Sequence, residues 1–221
     1  MPAAPVLLVA AHGTRSAIGS ATTARLVRAV AAARPGTAVS LAYLDVAEPT
    51  LRDTLAASSG PTVVVPLLLS AGYHVRTDIP ALAGSRREVA VAQHLGPDPL
   101  VIDAMLDRLV AARYGAEPST TLLARVPSTR AESDTDFQIA RALLAQRLGR
   151  PVREFAPEPS ARAALAAYPP PVEIASYLLA EGVFSQALHA AAGALATVAA
   201  PIGAHPALVE LVLARYDEAR H

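Results

Sequence analysis

Four side chains able to hold a divalent ion or move a proton, His12, Asp45, His74 and His94, are spread through the first half of a 221-residue chain. Two imidazoles and a carboxylate suit a borderline ion such as Fe(II), Co(II), Ni(II) or Zn(II), and such a set leaves coordination positions open. An open site suits a metal that arrives and leaves. Neutral imidazole, with an ordinary pKa of about 6.5, is also a base at neutral pH. The chain has no cysteine, which excludes disulfides, thiolate zinc sites, iron–sulfur clusters and cysteine nucleophiles. All 19 positive charges are arginine, so a Schiff base and a Walker-type phosphate lysine are excluded as well.

The elements that must position these residues follow from hydrophobic patterning. Short apolar runs alternate with Ala/Leu/Arg stretches of helical period, the pattern of a parallel sheet wrapped by helices. The first-half runs are 6–10, 38–44, 62–69 and 89–92, with helices expected over 19–34, 48–57, 77–84 and 97–114. Pro66 argues for an edge strand or a strand end in the third run. After Gly115-Ala116-Glu117-Pro118 the order restarts, with runs at 121–126, 152–155, 172–179 and 197–200. Thr14-Arg15 returns as Thr129-Arg130, Glu48-Pro49 as Glu158-Pro159, Gly72 as Gly182, and Leu95-Gly96 as Ile202-Gly203, at an offset drifting from 115 to 107. The expected fold is therefore α/β with two similar domains from internal duplication, each a parallel sheet flanked by helices, spanning 1–116 and 117–221.

In such sheets ligands bind beyond the carboxyl ends of the strands. His12, Asp45, His74 and His94 each follow a first-half strand. The offsets place Pro127, Phe155, Phe184 and Pro201 opposite them. Histidines demanded by the scaffold would be expected in both copies, so His12 and His74 are read as functional. His94, His189, His205 and His221 are read as ordinary structural or surface histidines. Arg15 keeps two readings, substrate contact or a structural contact repeated at Arg130. Gly13 and Gly72 are read as turn or close-approach positions, and Arg86-Arg87 as a solvated loop.

These residues resemble the class II sirohydrochlorin chelatases, in their long two-domain form. The resemblance rests on the stretches from Leu7 to Arg15, from Tyr43 to Pro49, from Val65 to His74 and from Leu95 to Leu100. It covers the whole first half, and the second half resembles the degenerate repeat of the long members. It implies that His12 and His74 bind the incoming Fe(II) or Co(II) and face the macrocycle, and one of the two, either His12 or His74, is read as the base that accepts a pyrrole proton. Asp45 stands where many relatives have a glutamate, which leaves open whether it ligates, acts through water or orients an imidazole. The metal is a substrate, sirohydrochlorin is the partner, and no organic cofactor is implied. Iron is favoured over cobalt on the use of long relatives. For the substrate's carboxylates, Arg15 and Arg76 are expected as cations, with Ser16, Ser70 and the Gly72 backbone as neutral donors. Glu48 is expected to cap the second helix.

Zero formal net charge removes the electrostatic case for nucleic acid. The first residues lack a basic signal-peptide region, and no apolar run reaches the roughly 20 residues of a membrane helix. A cytoplasmic monomer or small homo-oligomer is expected. A nucleotide-binding module would need a glycine-rich turn after the first strand, where the chain has His12-Gly13-Thr14-Arg15. A metal-dependent hydrolase using the same three groups and a nonenzymatic tetrapyrrole or metal binder remain as alternatives.

Overall fold

The computed structural model describes residues 4–84, 86–113, 115, 117–128, 130–158 and 160–220. The first half runs β1 (Val6–Ala11), α1 (Ala17–Ala33), β2 (Val39–Tyr43), α2 (Leu51–Ala57), β3 (Thr62–Leu67), a π-helical turn (His74–Asp78), α3 (Ile79–Ala83), β4 (Val89–Val91) and α4 (Pro99–Ala112). The second runs β5 (Thr120–Ala124), α5 (Ala131–Leu148), β6 (Val152–Phe155), α6 (Ala161–Ala166), β7 (Val172–Ser176), α7 (Val183–Ala192), β8 (Thr197–Val198) and α8 (Pro206–Ala219). Each half forms an all-parallel four-stranded sheet, ordered β2-β1-β3-β4 and β6-β5-β7-β8. The identical order is the fold-level counterpart of the sequence repeat. Thr129, Pro159, Ala116 and His221, which figure in the sequence reading, lie outside the described residues.

The inner strands β1, β3, β5 and β7 are buried on both faces, which is why their sequences are nearly continuous apolar runs. Alternation then sorts each strand between two cores. Leu7, Val9 and Ala11 of β1 enter one large cluster together with Ile102 of α4, Leu123 of β5, Phe137 of α5 and Val212 of α8. Leu8 and Ala10 face an outer cluster with Leu51, Leu55 and Ile79, and Leu122 and Ala124 of β5 face its second-half equivalent. The two sheets thus share a central core between them. Among the described residues no helix is long and apolar enough to cross a membrane.

Reciprocal bonds reinforce the shared core. Arg108 of α4 donates to the Ile202 carbonyl at 3.0 and 2.8 Å. Arg215 of α8 donates to the His94 carbonyl at 3.4 Å and to Asp98 at 2.8 Å. His205, the N-cap of α8, pairs with Asp107 at 3.1 Å, which accounts for it without a ligand role.

Two expectations require correction, and a third is met in one of its two forms. Pro66 stands at a strand end and not on an edge strand, because β3 ends at Leu67 and lies between β1 and β4. Val64 accepts from Ala92 on the β4 side, and strand alternation turns Pro66 the same way, past the last β4 pairing at Val64↔Val91; its missing N–H breaks no ladder bond. Glu48 does not cap the second helix. Thr50 does, accepting from the Asp53 N–H at 3.0 Å, while Glu48 braces the preceding turn through the Thr50 N–H. Arg86 is not a solvated loop residue, since it donates to the carbonyls of Leu55 and Ser58 at the end of α2.

Candidate functional site

At the carboxyl end of β1 the chain makes a tight turn that only one residue type tolerates. Gly13 has φ +98°, and a Cβ there would fall 2.0 Å from the Asp45 carbonyl oxygen. The close approach is closed by the Asp45 N–H donating to the His12 carbonyl at 3.0 Å. Glycine is thus required by both backbone angle and space. The turn leaves His12 exposed at the sheet edge and its neighbour Val46 at φ +53°.

The second histidine is delivered by a different device. The chain leaves β3 at Leu67 and enters a single π-helical turn at His74, with the Ile79 N–H bonded back to the His74 carbonyl. Such turns are rare and concentrate at functional positions. This one places Asp78 four residues on, its carboxylate 2.6 Å from His74 Nδ1. An ionised carboxylate only accepts, so Nδ1 carries the proton and Nε2 presents the lone pair, the arrangement common behind metal-ligating imidazoles.

His12 and His74 come together, with ring centroids 4.9 Å apart and planes tilted by 46°. Partial burial lowers the pKa of His12 below its ordinary value, the neighbouring His74 lowers it further, and Asp45 opposes both. The imidazole is therefore neutral at pH 7 and free to bind a cation. Asp45 is near enough to act on His12 through its charge, but its Oδ1 accepts from the Val46 N–H at 2.8 Å. Among the described residues no group of three His, Asp or Glu side chains is gathered as a metal cage. The centre is a pair of imidazoles with a carboxylate beside it.

His94, also after a strand, is turned elsewhere. Its Nε2 lies 3.0 Å from Asp136 Oδ2 of α5, and the same oxygen accepts from the Ala71 N–H at 2.7 Å. Tyr177, after β7, donates to the Leu69 carbonyl at 2.8 Å. Burial and then Asp136 push the Tyr177 phenol up, so it stays a neutral donor. Gly96 makes room for this contact, since a Cβ there would meet the Tyr177 hydroxyl at 2.3 Å. The segment leading to His74 is thus pinned at Leu69 and Ala71 by two second-half side chains.

The remaining expected residues divide. Arg15 and Arg76 are exposed, and neither has a carboxylate partner among the described residues. Ser16 caps α1, its Oγ accepting from the Gly19 N–H at 3.2 Å, which leaves its own hydroxyl proton to donate. Ser70 lies beside the Tyr177 hydroxyl, which its side chain acts to keep more acidic against burial and Asp136. Gly72 corrects its assignment, because its N–H is committed to the Ser70 carbonyl at 2.8 Å. A Cβ at Gly72 would meet open space, so what it contributes is an unobstructed approach. His189 is exposed on α7.

Sequence reasoning missed Asp78, Asp136 and Tyr177. A visible signal existed for Asp78, four residues from a histidine in a helical stretch. None existed for Asp136 and Tyr177, whose partners lie 65 and 108 positions away.

A family model described as CbiX matches residues 6–112. No curated protein matches the chain. Among solved structures, the chain is similar to the sirohydrochlorin chelatase SirB from Bacillus subtilis subspecies spizizenii in complex with cobalt, at 22% identity and TM-score 0.78, covering 97% of this chain and 94% of that one. It is similar to SirB from Bacillus subtilis with Fe3+ at 20% identity and TM-score 0.80, covering 97% and 95%. It is also similar to CbiX, the terminal enzyme for biosynthesis of siroheme in denitrifying bacteria, at 21% identity and TM-score 0.72, covering 97% and 99%. These likenesses span both halves and establish the two-sheet fold. The match to the CbiX family model thus covers the half of the chain that carries the histidine pair.

Proposed function

We propose that this chain is a sirohydrochlorin chelatase, inserting Fe(II) or Co(II) into the tetrapyrrole, with 1–116 as the catalytic unit and 117–221 as its degenerate repeat. The observation that carries the reading is the His12–His74 pair, 4.9 Å between centroids, at the open edge of the sheet that the CbiX family model matches. A resident metal is best held in a closed set of ligands. Two imidazoles hold a borderline ion weakly, which is what transfer to a stronger macrocyclic ligand requires.

Insertion exchanges one divalent ion for two pyrrole protons. His12, kept neutral by burial and by His74, and Nε2 of His74 hold the ion over the ring. As the ion moves to the pyrrole nitrogens, the Nε2 lone pair of His74 is released and takes one proton, and the charge of the resulting imidazolium is balanced by Asp78 at Nδ1. The second proton leaves through His12 or solvent. Asp45 acts on His12 through its charge.

Among the described residues, five of the eight exposed large apolar side chains, Ile18, Val46, Tyr73, Val126 and Val183, stand at the carboxyl ends of strands or the first turns of the helices that follow. Clustered exposed apolar residues mark a binding face, and a flat macrocycle with acidic substituents fits a face that mixes them with Arg15, Arg76 and the Ser16 hydroxyl. The test is an anaerobic absorbance time course of sirohydrochlorin with catalytic protein and Fe(II), Co(II) or no metal. Many turnovers above the spontaneous rate are expected, and the ratio of the metal rates assigns siroheme or cobalamin synthesis. Pigment binding without turnover, or neither, overturns the proposal.

A further inference from the structure

We propose that Arg130, from the second half, is a substrate-binding residue that takes a carboxylate of the macrocycle through its seat on Tyr73. The inference rests on the chelatase reading and extends it to a residue of the degenerate repeat. His12 and His74 lie 4.9 Å apart, Tyr73 meets His74 edge-on at 6.2 Å, and the Arg130 guanidinium stands 5.3 Å over the Tyr73 ring. A row of flat groups therefore runs outward from the metal pair in the first half to a cation in the second. Tyr73 is 51% exposed, and Arg130 is exposed as well, so a ligand can reach both.

Arg130 does not serve the helix that it begins. It occupies the N-cap of α5 and makes no side-chain capping bond, where serine, threonine, aspartate or asparagine would stabilise the helix. In the first half the N-cap of α1 is Ser16, one residue after the Arg15 that the repeat pairs with Arg130, and it does cap. Positive charge at this end also opposes the helix dipole. Among the described residues no carboxylate pairs with Arg130, and the first-turn Asp134 pairs with Arg125 at 2.6 Å instead. Among the described residues neither Arg15 nor Arg130 has a carboxylate partner, and the contact Arg130 does make, over Tyr73, leads to the site. What remains is a planar cation above an aromatic ring, its guanidinium N–H groups without a partner among the described residues, an arrangement that can receive a carboxylate. A polycarboxylate tetrapyrrole centred over the histidine pair directs its acidic rim outward along this row.

The test compares Arg130→Gln, which keeps a flat side chain without charge, and Arg130→Glu with the unaltered chain and an Arg87→Gln control. Pigment affinity without metal and KM with saturating Co(II) are read against kcat. Arg130→Gln is expected to raise Kd and KM about fivefold and Arg130→Glu more, with kcat within twofold. Methyl-esterified sirohydrochlorin should not distinguish Arg130→Gln from the unaltered chain, a result that a merely structural role would not produce. Unchanged Kd and KM in Arg130→Glu, beside an unaltered chain that binds and turns over, overturns this inference alone. An unaltered chain that binds no pigment overturns the chelatase reading, and this inference with it.

Discussion

The two halves repeat one sheet and differ at its carboxyl edge. Where β1 and β3 lead to His12 and His74, the offsets lead to Pro127 and Phe184. Bonds that join the halves have been kept on both sides, as with Arg108 and Arg215 reaching the carbonyls of Ile202 and His94. One pair of such contacts has diverged. In the second half Glu181, following β7, takes a bond from Thr22 of α1 at 2.9 Å. At the corresponding place the carboxylate has moved to the helix, where Asp136 of α5 holds the Ala71 N–H and His94. The half without the histidine pair thus braces the half that carries it.

The comparison breaks most sharply at the histidines. His74→Ala is expected to lower metal insertion at least about a hundredfold, while urea unfolding shifts by about 1 kcal/mol or less because the ring is part-exposed. His189→Ala, on the exposed face of α7, should retain full turnover. A loss in His189→Ala comparable to that in His74→Ala would show that the second half supplies ligands after all.

The brace is tested by a pair of substitutions that differ in which copy they release. Asp136→Ala leaves the buried Ala71 N–H and His94 without their acceptor, at a cost of about 1–3 kcal/mol. Because Ala71 stands three residues before His74, kcat should also fall, by about tenfold. Thr22→Ala breaks the mirrored bond to Glu181, with a stability cost of about 0.5–1.5 kcal/mol and turnover unchanged. Equal turnover in both variants would reduce Asp136 to a structural residue.

Much of this was legible before any coordinates, for identifiable reasons. All eight strands overlap the expected runs: the inner ones read as apolar because both faces are buried, while Val152–Phe155, matched to the residue, carries exposed Arg153 and Glu154 between two buried apolar ends. Ends were poorer where pairing rather than composition stops the strand. The run through Leu179 stays apolar, yet β7 ends at Ser176 and its neighbour β8 pairs only at Glu173 and Ile174. Helical periodicity has no signature for an i→i+5 turn, so a helix expected from Thr77 began as a π-turn at His74. The histidine pair was readable because duplication supplies its own control. Asp136 and Tyr177 were not, because their roles exist only after two distant segments pack.

The finest distinction concerns Asp45, which stands beside the histidine pair without completing a cage. Its charge raises the pKa of His12, against burial and His74, which lower it. Asp45→Asn removes the opposing influence, so the imidazole should stay neutral to still lower pH. The acid limb of kcat/KM should then move to lower pH, with turnover at pH 7.5 changed by about threefold or less. The stability sign agrees. A histidine whose folded pKa lies below its unfolded value of about 6.5 contributes stability fully present above 6.5 and lost as pH falls through the folded value, and Asp45→Asn widens that window downward. A large loss at pH 7.5 with no shift of the acid limb would make Asp45 a ligand, and the carboxylate would then belong to the metal centre itself.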